Sequence, residues 1–288
     1  MSATESALTR YLRRALLYGG ATMAVYVLVA LLVARAQTHE HRPVFRLGPV
    51  GAQVGPAELE RAAEVLAARL EALRGEFKLS RRSVTALPPD RLEVRFRCAG
   101  DPTAALSWLT MQGRAEFRLV HPSDEMLAKV GPEGLPPDYE VKIYREKRFV
   151  LNRLGELKTV ENPFAVQRDA VLTVGGFREV TFATVGRQSK VVLTFRFFEA
   201  DAQAFSRVTA LHAGRRMAML IDGEMFFPPC RIESAVTEGS VQVEGFFHIP
   251  ACRRLAKVLA CGSLPAPLYE PAADEAAPAG PAANAPGP

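Results

Sequence analysis

The order of apolar and polar residues predicts one long amphipathic helix in the first third of the chain. Between residues 57 and 75, apolar residues recur every three or four positions, the spacing that places them on one side of a helix. Charged residues, Arg69 among them, lie largely off this stripe. The stripe consists of Leu59, Ala63, Leu66, Leu70 and Leu73. A stripe this wide predicts that the helix packs against another element of the fold.

Other windows alternate with a period of two and predict half-buried strands. In Arg91–Arg97 the apolar residues face one way and the charged residues the other. A second alternating strand runs from Ala115 to Leu119, and a short helix opens between them at Asp101-Pro102. With a strand at 43–47, and with the strand signals between the two helices interpreted as two strands, we assign the order β-α-β-β-α-β, which is typical of the ferredoxin-like arrangement.

The second half of the chain predicts further strands and helices around one clear turn. Asp222-Gly223 fits a tight hairpin, because both residues tolerate positive φ angles. Residues 121–168 are polar and rich in turn formers, with weak strand signals at 141–144 and 149–151. The clearer elements are a strand at Lys190–Phe198, a helix at Glu199–His212, hairpin strands at Met217–Ile221 and Glu224–Phe227, a strand at Val241–Phe247 and a helix from Pro250. The pattern as a whole predicts an α+β fold.

Ala15–Ala34 predicts a single membrane-spanning helix. It contains no charged residue, and at about 1.5 Å per residue it covers about 30 Å, the thickness of the hydrocarbon core. Three arginines in the short segment before it predict a cytoplasmic N-terminus and an extracytoplasmic remainder. Cleavage at Ala34-Arg35-Ala36, as in a signal peptide, is the alternative. The predicted anchor residues include Ala15, Leu16, Tyr18, Val25, Tyr26, Leu31 and Ala34.

Composition and motifs argue against nucleic-acid binding and against catalysis. The formal net charge is +5, and the basic residues are spread among acidic ones instead of being grouped with aromatics. The sequence contains no G-x-S-x-G, H-E-x-x-H, Walker A or G-x-G-x-x-G motif. We therefore predict no enzyme activity, no cofactor and no metal centre. His39-Glu40-His41 has side chains that can bind a metal ion, but we interpret it as a linker just outside the membrane.

The four cysteines, Cys98, Cys230, Cys252 and Cys261, leave two possibilities open. In an oxidising compartment they could form disulfides, although Cys252 and Cys261 share one predicted helix and lie too far apart along it for a direct bond. They could instead be small buried thiols.

A run of motifs in the last third of the chain resembles the SecD and SecDF protein-export family. Gly214-Arg215-Arg216 begins an apolar strand that ends in Asp222-Gly223, a second strand contains Arg231-Ile232, and a turn at Gly239 precedes the last helix. This helix leads into residues 262–268, GSLPAPL. The series is similar to the first extracytoplasmic domain of the family, called P1. Upstream, residues 66–73 (LAARLEAL) resemble the family's hRxRLxxLG helix, with Ala67 where an arginine is usual.

The resemblance spans roughly residues 55–270 and implies a ferredoxin-like base with an inserted α+β head, preceded by one transmembrane helix. The implied segments are a cytoplasmic tail at 1–14, the anchor at 15–34, a linker and first strand at 35–54, the base at 55–121, the head at 122–262, a return strand to the base at 263–270 and a disordered tail at 271–288.

The resemblance also implies a function. We expect a membrane-anchored accessory factor of Sec-type export that binds translocating or unfolded polypeptides on the extracytoplasmic side of a bacterial inner membrane. Its expected partners are the Sec translocon or a SecD/SecF-like membrane protein. Family members continue after the last motif into further transmembrane helices with ionisable groups, whereas Ala15–Ala34 has none, so we expect no proton-driven motor in this chain. An envelope scaffold that reuses the fold is the alternative.

Two aromatic pairs are the candidate polypeptide-binding residues. Phe226-Phe227 and Phe246-Phe247 each lie in a predicted strand, where neighbouring side chains point to opposite faces. One residue of each pair should enter the core, and the other could hold an unfolded segment unless a helix covers it. Unpaired edge strands of the head could also accept an extended client strand.

Overall fold

The computed structural model describes residues 38–49, 51–99, 101–123, 131–149, 157–186, 190–245 and 247–270. The predicted anchor, the predicted tail and Phe246 lie outside these residues. None of the helices within the described ranges is both long and apolar enough to cross a membrane.

The described chain contains both helices and strands, and their bounds follow in chain order. The helices are α1 (Pro56–Ala72), α2 (Arg74–Phe77), α3 (Thr103–Leu109), α4 (Glu199–Leu211) and α5 (Ile249–Ala260). The strands are β1 (Thr38–His41), β2 (Val44–Leu47), β3 (Ser80–Leu87), β4 (Arg91–Ala99), β5 (Ala115–Leu119), β6 (Tyr139–Phe149), β7 (Leu157–Gln167), β8 (Leu172–Val174), β9 (Glu179–Val185), β10 (Lys190–Arg196), β11 (Arg216–Ile221), β12 (Glu224–Met225), β13 (Cys230–Arg231), β14 (Ser240–Gly245) and β15 (Leu268–Tyr269).

The base is an antiparallel sheet covered on one face by helices. Its strands lie in the order β15-β2-β4-β3, with β1 continuing the line of β2 along the same edge of β4. Counted along the chain this order is 4-1-3-2, the order of the split βαβ arrangement. Apolar residues of β2 and β4 pack against the buried side of α1, with Phe45, Leu92, Val94 and Phe96 at the centre. The mixed α+β fold is therefore confirmed.

The sequence assigned the wrong strand to the base. We predicted Ala115–Leu119 as its last strand, but this segment, β5, pairs with β11 and β8 in the head. The fourth strand of the base is β15, which pairs with β2 and lies within the segment 263–270 that the family resemblance implied as a return strand to the base. An alternating pattern indicates a half-buried strand without naming the sheet to which it pairs, so the period alone could not separate the two assignments.

The head consists of two sheets and α4. In the described residues the larger sheet has the order β7-β6-β12-β11-β5-β8, with β13 also paired to β11, and the smaller has the order β14-β10-β9. The weak strand signals after residue 140 correspond to a long hairpin, β6 with β7, in which Tyr139 pairs with Gln167 and Phe149 with Leu157. Charged residues on both strands hid this hairpin from a search for apolar alternation.

Helix α5 belongs to both hydrophobic cores. Its residues Cys252, Leu255, Ala256 and Leu259 pack into the head, where Phe117, Phe195 and Phe205 lie at the centre. Val258 of the same helix packs into the base with Leu66 and Leu70 of α1. The base and the head are therefore joined by a shared helix as well as by the chain.

Candidate functional site

An apolar groove opens on the head where β6, β12 and the start of α5 meet. Its volume is about 240 Å³. The walls are mainly apolar and aromatic, and the charged residues Arg145 and Glu224 lie at the rim. The apolar lining includes Ile143, Met225, Phe226, Phe227, Phe247 and Cys252. A concave apolar surface with a few polar groups at its edge is the usual form of a site that takes an apolar group.

The groove brings together three of the four phenylalanines that the sequence singled out, Phe226, Phe227 and Phe247. The rings of Phe227 and Phe247 meet edge to face, with centroids 5.3 Å apart. Phe226 lies 6.5 Å from Phe227 and 6.3 Å from Trp108, again between ring centroids. Phe246 lies outside the described residues. Residues twenty positions apart in sequence therefore line one cavity.

The prediction that both pairs lie within strands was wrong in detail. Strand β12 ends at Met225, so Phe226 and Phe227 follow it, and Phe247 lies beyond the last described residue of β14, Gly245. Pro228-Pro229 provides the reason after β12, because proline cannot donate to a ladder. For Phe226-Phe227 the division between core and surface is seen, since Phe227 is 2% exposed and Phe226 is half-buried; Phe247 is also half-buried.

One tight turn and one close approach of a ring to a glycine place the aromatic side chains. Asp222 and Gly223 have φ angles of 51° and 79°, and they return the chain from β11 to β12 so that Leu220 faces Met225. This confirms the predicted hairpin. At the other wall, a Cβ atom on Gly245 would lie 2.7 Å from the ring of Phe247. Glycine at 245 therefore lets the far end of this ring approach the backbone closely beside the groove.

The interior of the groove is uncharged. Burial raises the pKa of the Cys252 thiol to about 11, so the thiol is protonated at neutral pH. At the rim, Arg145 lies 3.6 Å from Glu224 and 3.1 Å from Glu161, measured between nitrogen and carboxylate oxygen. The site therefore offers apolar contact inside and paired charges at its mouth.

Arg69 is a structurally important residue that the sequence reasoning placed wrongly. It was expected off the apolar stripe of α1, yet its side chain is fully buried. The guanidinium donates to the carbonyl oxygens of Leu109 at 2.9 Å, of Met111, of Gln112 at 3.4 Å and of Gly262 at 2.7 Å. Burial lowers the pKa of this guanidinium to about 10. These acceptors make burial of the charge tolerable. The sequence did carry one signal for this role, because Arg69 matches the second arginine of the family's helix motif.

Asp222 completes the junction between base and head. Its carboxylate accepts hydrogen bonds from the backbone N–H groups of Gly113 at 3.0 Å and of Arg114 at 2.9 Å. Leu264 donates its backbone N–H to the carbonyl oxygen of Gln112 at 2.8 Å. This bond joins the two segments by which the chain passes between base and head, one near Gln112 and one near Leu264. The turn residue that we explained by its backbone alone also fixes the head, with its groove, onto the base.

The other chemical candidates are not brought together. Glu40 pairs with Arg42 and Arg97, whereas strand alternation directs His39 and His41 to the opposite face of β1. Within the described ranges, no group of three or more His, Cys, Asp or Glu side chains could hold a metal ion. All four cysteines are free thiols, with Cys98 and Cys252 buried and Cys230 exposed.

Comparison with known proteins supports the relation that the motifs indicated. Residues 150–266 match the family model described as SecDF, P1 head subdomain. The protein translocase subunit SecD of Calditerrivibrio nitroreducens is 23% identical over 210 residues, which cover 73% of this chain and 39% of the relative. SecD of Magnetococcus marinus is 24% identical over 210 residues, covering 73% and 38% respectively. The chain thus spans about two fifths of the length of these relatives.

Solved structures show the same fold. A crystal structure of SecDF in a super-membrane-facing form superposes with a TM-score of 0.55 at 19% identity, covering 81% of this chain and 30% of that one. A structure of SecDF, described as a membrane component that enhances protein export, superposes with a TM-score of 0.53 at 20% identity, covering 79% and 96%.

The fold and the groove together define a two-part α+β domain, with a groove-bearing head inserted into a split βαβ base. This chain is related to the SecD/SecDF family through its P1 region, which confirms the resemblance drawn from the motifs.

Proposed function

We propose that the head of this chain binds unfolded or translocating polypeptides during Sec-type protein export, on the extracytoplasmic side of a bacterial inner membrane. The groove lined by Phe226, Phe227 and Phe247 is the observation that carries the proposal. Its apolar walls can hold a client side chain without reading sequence, as a factor with many clients requires. The relation to proteins named as translocase subunits supports the assignment to export.

The proposed role is binding, not catalysis. The groove holds a protonated thiol and paired charges, and its remaining lining is mainly apolar, with Tyr144 and His248 as the other polar side chains. The segment 15–34 is proposed as the membrane anchor, with the N-terminus in the cytoplasm and a Sec component as partner.

Photocrosslinking in cells tests the proposal. A photoreactive phenylalanine analogue at position 226 or 247 would lie in the groove, and the same analogue at Leu211 serves as the control, because Leu211 is 78% exposed on α4. We expect crosslinks to exported precursors from 226 and 247 and far fewer from 211. Equal labelling at all three positions would contradict the proposal. A single stable partner unrelated to Sec, without an export defect on deletion, would favour the envelope scaffold.

A further inference from the structure

Most strand edges of the molecule carry features that discourage the addition of another strand. Strand β7 contains Pro163, and β3 has a register shift between Ser80 and Ser83, where Arg81 takes a φ of 49°. Proline, bulges and charge are the usual means of protecting an edge. Strands β8, β13 and β15 are only two or three residues long.

The smaller head sheet has two longer edges, and they differ. Strand β9 lies beside α5, whose Arg253 guanidinium stacks over the ring of Phe182 at 5.6 Å. Strand β14, with the sequence SVQVEG, contains no proline, lysine or bulge. Its one charged residue, Glu244, pairs with Lys190 on the neighbouring strand at 2.9 Å. Strand β14 is therefore the least protected long edge in the described part of the molecule.

The alternation of hydrogen-bonded and non-hydrogen-bonded pairs shows which backbone groups of β14 point away from β10. The N–H of Phe197 donates to the carbonyl of Gly239 at 2.9 Å, directly before the first paired residues of β10 and β14. Hydrogen-bonded and non-hydrogen-bonded pairs alternate in an antiparallel ladder, so Val241 and Val243 bond to β10. The N–H and C=O groups of Ser240, Gln242 and Glu244 must then point away from β10. Among the described strands, none pairs with that side.

This open edge leads directly into the groove. Strand β14 ends at Gly245, and the ring of Phe247, one wall of the groove, lies against Gly245. A strand laid along 240–244 would run for about 14 Å at about 3.4 Å per residue. Its end would then reach the aromatic wall formed by Phe247 and Phe227, whose centroids are 5.3 Å apart.

We propose that β14 accepts a client segment as an added strand, and that one apolar side chain of this segment enters the groove. The proposal rests on the proposed function and names the ligand class: an extended polypeptide of about five residues, recognised through its main chain, with an apolar residue at one end. Main-chain pairing supplies affinity that is independent of sequence, and the groove selects for the apolar residue. A helical segment is excluded because its main chain cannot pair with the edge. A strongly charged segment is excluded because it has no apolar side chain to fill the groove.

Two variants at position 242 separate the contribution of the main-chain N–H to peptide binding from that of the side chain. Gln242→Pro removes an N–H that points outward while leaving the bonds of β10 intact, and proline is tolerated at such edge positions. Gln242→Ala keeps the N–H and removes only the side-chain hydrogen bond to Thr194, which is 3.2 Å long. The probe is a fluorescent eight-residue peptide of alternating valine and threonine with one terminal phenylalanine. Its binding to the full chain in mild detergent is measured by fluorescence anisotropy.

We expect Gln242→Pro to weaken peptide binding by about three- to tenfold, as the loss of one main-chain hydrogen bond predicts, and Gln242→Ala to bind like the wild type. A peptide N-methylated at every interior residue should bind the wild type still more weakly. This second arm tests the proposal even if the proline variant does not fold.

The outcomes also distinguish this inference from the proposed function. If the peptide binds and position 247 crosslinks clients, but neither the proline nor the methylation weakens binding, strand addition is wrong and the groove proposal stands. If the wild-type protein binds no peptide and crosslinks no client, both proposals fall.

Discussion

Arg69 and Asp222 both bind residues 111–114, the connector between the base and the head. Arg69 belongs to the base and donates to the carbonyls of Met111 and Gln112, whereas Asp222 belongs to the head and accepts from the N–H groups of Gly113 and Arg114. Arg69 also donates to the carbonyl of Gly262, in the segment where the chain returns from the head to the base. One charged side chain from each part thus fixes the connector, and the orientation of the groove on the base depends on both.

We expect Arg69→Met to lower the free energy of unfolding by about 3–5 kcal/mol. Methionine fills much of the volume but leaves buried carbonyl oxygens without a donor, which is among the costliest single changes in a protein interior. Arg82→Met is the matched control, because Arg82 is partly exposed and its ion pair with Glu71 should contribute less than about 1 kcal/mol. Denaturant titration of both variants would contradict the prediction if their losses were equal.

Substitutions of Asp222 should separate its carboxylate from its backbone conformation. Glycine and alanine both remove the acceptor, but only glycine adopts the φ of 51° without strain, so Asp222→Ala should be less stable than Asp222→Gly by about 1 kcal/mol. In both variants the amides of Gly113 and Arg114 should exchange hydrogen faster, as measured by NMR. Unchanged exchange would show that the carboxylate does not protect these amides.

Glu76 should make stability depend on pH in the acidic range. Burial alone would raise the pKa of this carboxyl group, but the hydrogen bond from Lys257 and the charges of Lys257, Arg253 and Arg254 outweigh it and hold the pKa below the usual 4.5. The unfolded chain therefore binds a proton more readily. The contribution of Glu76 is fully present above pH 4.5 and is lost as the pH falls through the lowered pKa of the folded state.

The variant Glu76→Gln tests this linkage. At pH 7 the wild type should be the more stable protein, and the difference in unfolding free energy should shrink as the pH is lowered towards 3. A difference that stays constant over this range would show that Glu76 does not titrate between the two states.

The two adjacent phenylalanines of the groove should respond differently to truncation. Phe227 is 2% exposed, so Phe227→Ala should cost about 3–5 kcal/mol of stability. Phe226 is half-buried beside Trp108, the single tryptophan of the chain, so Phe226→Ala should cost less and should change the tryptophan emission. Equal losses of stability, or an unchanged emission spectrum for Phe226→Ala, would contradict the assignment of Phe226 to the groove wall.

The thiols should react in an order set by their burial. Burial raises the pKa of all three thiols, Cys98, Cys230 and Cys252, but of these only Cys230 is exposed to a reagent. A thiol reagent applied to the native protein should therefore modify Cys230 first, with Cys98 and Cys252 reacting only on unfolding. Mass spectrometry of the labelled peptides checks the order, and early labelling of Cys252 would show that the groove is deeper or more open than the structure has it.

Local pattern predicted individual elements well, because each depends on residues close together in sequence. The helix α1, the strand β4 and the Asp222-Gly223 hairpin follow from a period of 3.6, a period of two and tolerance of positive φ. The hairpin of β6 and β7 was only weakly predicted, because its stability comes from cross-strand pairing that an apolar pattern does not report.

The residues of the candidate site could be predicted from the sequence, but their arrangement could not. The aromatic pairs were conspicuous in the sequence, and the prediction that one residue of a pair is buried and the other less buried holds for Phe227 and Phe226. Their meeting in one groove was not predictable, since it needs the end of β14, the end of β12 and the start of α5 to converge.

The sequence by itself determined the family relation, the α+β character and which residues could line a binding surface, because motifs, periods and turn residues act locally. Only the tertiary structure decided that Ala115–Leu119 joins the head, that Arg69 is buried and that β14 is an open edge. Each of these depends on which distant segment supplies the hydrogen-bond partner. A strand records its own alternation but not its neighbour, and an arginine on a helix does not reveal the carbonyls that will surround it.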